Sequence, residues 1–241
     1  MSDKPFPVYV GWDSREDIAY QVCRHSMLRN ASVPLEIIPL VQKDLRAQGI
    51  YTRGEDPLSS SEFTYTRFLV PHLAGYRGWV LFCDCDFLWL GDVKNLLALI
   101  DERYAVMCVH HDHRPPEKTK MDGQVQTVYP RKNWSSMILY NCGHPANAAL
   151  TAEVANKETG AFLHRFSWLT DDLIGAAPET WNWLEGWCEK PQGGPPNVVH
   201  YTRGGPWFDN WQHVDYGDLW LAEKDRYEAA AKAGLEPDPV A

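Results

Sequence analysis

Two aspartates two residues apart, Asp84 and Asp86, close the apolar run WVLFCDCDF. If a strand runs on through them, the alternation of side chains puts both carboxylates on one face. Two unit charges about 5 Å apart repel by roughly 3 kcal/mol at an effective dielectric near 20, and withdrawal from water adds to that cost. A bound cation removes both penalties. Carboxylate oxygens suit Mg²⁺ or Mn²⁺, and one imidazole in the ligand set shifts the preference toward Mn²⁺. Of nine histidines, His200 is best placed as that imidazole: it ends the apolar run NVVH and precedes the glycine-rich YTRGGPW, as a strand-end ligand beside a loop does. The denser run HHDH at 110–113 reads as a solvated loop after YAVMCV. Solvated acids at a strand end are the plainer alternative for the aspartates.

The elements that must position these groups alternate between strand and helix. PVYVGW reads as a strand, followed by Asp13 as an N-cap and a helix in which Ala19, Val22, Cys23, Ser26 and Met27 recur at helical spacing. LEIIPL reads as a second strand and FTYTRFLVPHL as helix-like. WVLFCDCDFLWL, YAVMCV and SSMILYN are continuous apolar runs, the pattern of strands covered on both faces. Such alternation predicts an α/β sandwich with a mostly parallel central sheet. Beyond residue 145, ANAALTAEVANK and GAFLHRFSWL read as helices and NVVHY as a strand, while LWLAEKDRYEAAAKAGL reads as an exposed C-terminal helix. With no internal repeat, the expected organisation is one catalytic domain over 1–215 and a helical tail over 216–241.

Composition narrows the partners. The formal charge of −9 and the lack of any Lys/Arg run argue against nucleic acid. An acidic chain that handles an anionic nucleotide needs a cation or a few well-placed arginines. No apolar stretch approaches the roughly 20 residues of a transmembrane helix, and the first residues lack the succession of a secretory signal, so a cytoplasmic location is expected. The six cysteines (23, 83, 85, 108, 142 and 188) form no C-x-x-C pair, which points to buried thiols rather than a zinc ribbon or a disulfide framework. Trp168, Trp181, Trp183, Trp187, Trp207 and Trp211 crowd the second half; sugar rings stack on indoles, with core or lid packing as the plainer role.

Taken in order, VYVGWD, CDCD and HYTRGGPW, within residues 8–211, resemble the motifs of glycosyltransferase family 8. The resemblance implies a GT-A-like nucleotide-sugar-binding sandwich and a metal-dependent retaining transfer, with Mn²⁺ or Mg²⁺ as cofactor. Its donor would be a nucleotide-sugar, a UDP-sugar by this likeness, and its acceptor a carbohydrate or glycoconjugate. Carried over by position, Gly11 and Asp13 would lie by the uracil and ribose, and Tyr65 and Arg67 of FTYTRF would contact the donor. Asp84 and Asp86 would meet the metal and ribose, with His200 as third protein ligand. SSMILYN is similar to the family's N-A-G-V-L-L-x-N strand, with Trp134 and Ser136 where Asn and Gly are usual.

The late motif is one residue short and lacks the family's lysine. Arg203 stands in that loop, where its guanidinium fork suits diphosphate oxygens, and Gly204 and Gly205 would let backbone approach the phosphates. WLTDDLIG resembles the family's acidic D-Q-D-x-L-N region with the register ambiguous by one residue, so Asp171 or Asp172, preferably Asp172, would lie near the reacting carbon; a helix N-cap pair is the alternative. Two rival functions fit less. A haloacid dehalogenase-type phosphohydrolase places D-x-D near the N-terminus with Thr or Val two residues on, whereas here the motif is central and Leu88 occupies that place. A non-catalytic carbohydrate-binding protein would explain the tryptophans but not two carboxylates at the end of a buried strand.

Overall fold

The computed structural model describes residues 4–54, 56, 59–112 and 131–235. In chain order the elements are β1 (Phe6–Gly11), α1 (Asp17–Asn30), β2 (Leu35–Leu40), α2 (Gln42–Ala47), α3 (Val70–Leu73), β3 (Trp79–Cys83), β4 (Phe87–Trp89), α4 (Val93–Leu97) and β5 (Val106–Val109). They continue with β6 (Met137–Asn141), α5 (Ala152–Lys157), α6 (Gly160–His164), β7 (Ile174–Ala177), β8 (Trp183–Leu184), β9 (Val198–His200) and α7 (Gly217–Lys232).

A six-stranded sheet runs in the order β2-β1-β3-β6-β5-β7. Only β6 is antiparallel to its neighbours; the remaining pairs are parallel, so the expected mostly parallel α/β sheet is present. The continuous apolar runs account for its centre: β5 and β6 are buried throughout, and β3 from Val80 onward. Each such side chain removed from water contributes about 1.5–3 kcal/mol. A second sheet, β4-β9-β8, stands apart from the first. Leu88, Val199 and Trp183 of its strands pack with Val22 of α1, Tyr201 and Trp220 of α7 in a smaller core.

The strand through the two aspartates does not continue, contrary to the alternation argument. β3 ends at Cys83 and β4 begins at Phe87 in the other sheet. Asp84 is still tied to the large sheet, its N–H donating to Ser136 O at 2.9 Å, while Asp86 O already accepts from Tyr201 N at 3.0 Å beside the small one. The D-x-D thus spans the step between two sheets.

Four further expectations change. Asp13 is no helix cap: α1 starts at Asp17 behind Glu16, which makes no side-chain capping bond. FTYTRFLVPHL divides into a 3-10 turn over Thr66–Leu69 and α3, and ANAALTAEVANK into a turn over Pro145–Ala149 and α5. The division at Thr151 has a cause, since its hydroxyl oxygen accepts from Val154 N at 3.1 Å and starts a new helix there. Finally, α7 is not exposed on all sides: Trp220, Glu223 and Tyr227 are buried, and it packs on α1. Glu223 accepts from Arg29 Nε at 2.8 and 3.0 Å, His25 Nδ1 at 2.8 Å and Arg226 Nη1 at 2.8 Å.

All six cysteines are free, five of them buried and Cys188 partly exposed. No helix of the described residues is long and apolar enough to cross a membrane.

Candidate metal centre

Strand pairing fixes which groups can meet. Val80, Tyr140, Val106 and Ile174 stand level across the sheet, and Cys83 stands level with Met137. The exits of β3, β5 and β7 and the entry of β6 therefore share one end. Asp84 leaves β3 at that end, and antiparallel pairing of Phe87 with His200 brings the end of β9 beside it. One ligating atom each from Asp84, Asp86 and His200 lies within 4.8 Å of the others, and His200 Nε2 is 3.3 Å from Asp86 Oδ2.

A chain of hydrogen bonds sets the tautomer of His200. Ser136 Oγ lies 2.7 Å from Asn133 O, and a carbonyl only accepts, so the hydroxyl proton is committed there. The hydroxyl oxygen therefore accepts from Asn182 Nδ2 at 2.8 Å, which turns Asn182 Oδ1 toward His200 Nδ1, also at 2.8 Å. That oxygen can only accept, so Nδ1 carries a proton and the lone pair of a neutral imidazole sits on Nε2, toward the aspartates. Asn182 is fully buried, which holds the relay away from competing water.

Electrostatics show a site short of positive charge. Asp84 Oδ1 lies 2.8 Å from Arg67 Nη1, yet both Asp84 Oδ1 and Asp86 Oδ1 are buried without a well-formed hydrogen bond. Burial, with Asp86 adding to it, raises the pKa of Asp84 against the pull of Arg67 and His200. Burial acts the same way on Asp86, but a proton on His200 Nε2, in the place a cation would otherwise take, outweighs it and leaves Asp86 lowered. Glu16, which the motif reading passed over, is pushed up to about 7 by burial, Asp86, Asp13 and Asp84, with Arg15 opposing. The residues fit a divalent cation: two oxygens and one imidazole nitrogen converge, and Nε2 and Asp86 Oδ2 need a shared positive charge between them.

The other motif residues divide into those the fold brings near and those it does not. Arg67 is buried beneath the aspartates, donating to Ser135 O at 2.8 Å as well as pairing with Asp84, so it supports the D-x-D from behind. Tyr65 donates to Asp56 and, with Arg15, Arg46 and Glu62, lines a cavity of about 310 Å³. Asp13 is fully buried and accepts from Arg15 Nε at 2.9 Å, Arg15 Nη2 at 2.7 Å and Glu62 N at 3.1 Å. Desolvation raises its pKa, but these donors prevail and hold it below the usual range. Gly11 ends β1, where an added Cβ would fall 2.4 Å from the Phe63 ring.

Arg203 Nη2 donates to buried Glu185 at 2.9 Å, and its guanidinium lies over the rings of Trp187 and Trp211. Gly204 takes φ +126 just beyond it, and Gly205 lies against Trp207. The backbone of Asp171 and Asp172 enters β7 before Ile174, which is level with Val80 near the start of β3, while the Asp171 carboxylate reaches Arg131 in the segment ahead of β6. Both are exposed, and Asp171 pairs with Arg131. The HHDH run also departs from a solvated loop: His111 is buried, while His113 lies outside the described residues. Asn182 and Glu16 escaped sequence reasoning, although Asn182 in TWNW, before a strand that pairs with β9, offered a usable signal.

No family model matches the chain. Among curated proteins it is 57% identical over 232 residues to Protein CDI of Arabidopsis thaliana, covering 95% of this chain and 90% of that protein. Among solved structures it is similar to the WbbM bifunctional glycosyltransferase, with TM-score 0.66 and 16% identity over 93% of this chain and 50% of that one. The glycosyltransferase GlyE of Streptococcus pneumoniae TIGR4 gives TM-score 0.60 and 14% identity over 98% of this chain and 65% of that one. The galactosyltransferase LgtC, solved with donor and acceptor sugar analogs, gives 0.61 and 12% over 92% and 96%. The chain thus spans half the length of WbbM and just under two thirds of GlyE. At these identities the likeness establishes a shared fold, that of GT-A glycosyltransferases. On the extent and level of its sequence identity, the chain belongs to the family of Protein CDI.

Proposed function

We propose that this protein is a glycosyltransferase that transfers a sugar from a nucleotide-sugar, a UDP-sugar, to a carbohydrate or glycoconjugate acceptor. The observation that carries the reading is the meeting of half-buried Asp84 and Asp86 with buried His200 at the exit of a central strand, short of positive charge, on a glycosyltransferase fold. Mn²⁺ is the proposed cofactor, with Mg²⁺ as substitute, and retention of anomeric configuration follows the family 8 resemblance. All residues of this reading fall within 1–215, taken as the catalytic domain, with 216–241 as a helical tail.

When bound, the cation supplies Lewis acidity to the diphosphate as charge builds on the leaving oxygens. Asp84 and Asp86 present anionic oxygens, and His200 presents a neutral nitrogen whose direction Asn182 sets. Arg67 holds the Asp84 carboxylate from the buried side. Asp13, kept ionised by Arg15 and the Glu62 N–H, meets donor hydroxyl or N–H groups only by exchanging Arg15 for them. Arg203 reaches a diphosphate only by leaving Glu185, so its contribution depends on donor binding.

Calorimetric titration with nucleoside diphosphates and nucleotide-sugars, each with Mn²⁺, Mg²⁺ or chelator, tests the reading. Manganese-dependent binding of UDP-sugars that is lost in Asp86→Ala is expected. No nucleotide binding under any condition would overturn it.

A further inference from the structure

We propose that His111, Glu179 and Cys188 form a second metal site, of zinc-binding chemistry, distinct from the Asp84–Asp86–His200 centre. Among the described residues these two groups bring three ligating side chains together, and here one atom from each lies within 4.8 Å of the others.

The fold builds this cluster rather than merely allowing it. β5 and β7 pair in parallel so that Val109 faces Ala177; two residues further on, His111 and Glu179 leave neighbouring strands at the same level. Cys188 arrives from the turn after β8, with Sγ 3.4 Å from Glu179 Oε1. Each segment is tethered. Trp134 Nε1 donates to His111 O at 3.0 Å, and its ring stacks on His110 with centroids 3.9 Å apart. The turn Glu179–Trp181 is followed at once by buried Asn182, fixed on both sides by Ser136 and His200. Cys188 N donates to Leu184 O at 3.0 Å, and Leu184 N donates back to Cys188 Sγ at 3.4 Å. Burial and Glu179 raise the pKa of this thiol, with the Leu184 N–H opposing them, so the sulfur is a thiol until a cation replaces its proton.

The donor set selects the ion. A thiolate, an imidazole and a carboxylate are the mixture that zinc takes in preference to manganese or magnesium, whereas the first centre offers two hard oxygens and one nitrogen. Cys188 differs from the other five cysteines, all buried, in being partly exposed, and the exposed Glu179 leaves the cluster open to ion entry. On binding, the sulfur–metal bond forms as the thiol proton passes to solvent, and three protein ligands leave a fourth position for water.

Cobalt reports on such a site because a cobalt–thiolate bond absorbs in the near ultraviolet, which an oxygen-and-imidazole centre does not. Reduced, chelator-treated full-length protein titrated with Co²⁺ is expected to develop that charge-transfer band, and Zn²⁺ but not Mn²⁺ should abolish it. The band should persist in Asp86→Ala, disappear in Cys188→Ser, and require at least about tenfold more cobalt in Glu179→Gln and His111→Ala. Absence of the band in the wild-type protein, or its survival in Cys188→Ser, overturns the proposal. Should Cys188→Ser fail to fold, Glu179→Gln decides, its substituted group being exposed: unchanged cobalt affinity there overturns the site. Because the readout is independent of nucleotide binding and survives loss of Asp86, its failure and that of the transferase reading are distinguishable.

Discussion

Two sets of carboxylates withdrawn from water in this protein are handled in opposite ways. Glu223, on α7, is saturated: Arg29, His25 and Arg226 all donate to its two oxygens, and these partners hold its pKa down against the opposing effect of burial. Asp84 and Asp86 are half-buried, each with one oxygen out of water, and have one arginine and one histidine between them, that oxygen of each lacking a good donor. A buried carboxylate whose work is to hold two helices together is neutralised from within. One left short of positive charge depends on something from outside, and that asymmetry distinguishes a brace from a site.

The largest effect expected of any substitution tests the second half of that contrast. Asp84→Asn should lower sugar transfer by at least about a hundredfold while the melting temperature in chelator stays level or rises, because a charge that burial disfavours has been removed. Retained turnover in an initial-rate assay would erase the distinction. Its counterpart is Glu223→Ala, which should cost about 2–3 kcal/mol of stability by urea denaturation and leave nucleotide affinity unchanged. The figure lies toward the low end for a buried ion pair, since Arg29 and Arg226 are 42% and 54% exposed and recover water once released.

Asn182→Ala sharpens the comparison further, because it removes no charge. With the tautomer of His200 no longer imposed, Mn²⁺ affinity measured by electron paramagnetic resonance should weaken by about 10–100-fold. Nitrogen-15 shifts of the His200 ring in metal-free protein should show Nδ1 losing its fixed proton; an unaltered tautomer would remove the relay from the explanation.

The smallest effect is on the pH dependence of stability. Glu16 holds its proton more tightly folded than unfolded, so its stabilising contribution is complete below the unfolded value of 4.5 and is lost as pH rises through about 7. Glu223 has the opposite sign: its contribution is present above the ordinary glutamate range and is lost as pH falls through its lowered folded value. In chelator, Glu16→Gln should therefore melt a few degrees above wild type at about pH 8 and level with it at about pH 4. A difference independent of pH would show that Glu16 is not buried against the aspartates.

What could be read from the sequence was what local pattern controls. The continuous apolar runs of β3, β5 and β6 mark strands covered on both faces, and strand ends bring Asp84, Asp86 and His200 together in sequence and structure alike. The alternation of a single strand is not the cause, since the two aspartates do not share a strand but bridge two sheets. Sheet membership depends on pairing with residues far along the chain, and no alternation rule reports it. The same limit bears on Asp171 and Asp172, whose place relative to a reacting carbon the acidic motif alone does not fix. It explains Asn182 and Glu223 as well: one became visible only through the partners of His200, the other only when α7 was found against α1.

The pairing of β4 with β9 also governs the order in which the molecule is made. Phe87 meets His200 across more than a hundred residues, whereas the large sheet needs nothing beyond Ala177. A chain synthesised from its N-terminus can complete that sheet while the third ligand is still being translated, and closure of so long a loop comes late on entropic grounds. The scaffold is thus finished before its chemistry. A nascent chain, or one cut short before β9, would carry the six strands and both aspartates yet have no histidine to share a cation with until β9 had emerged.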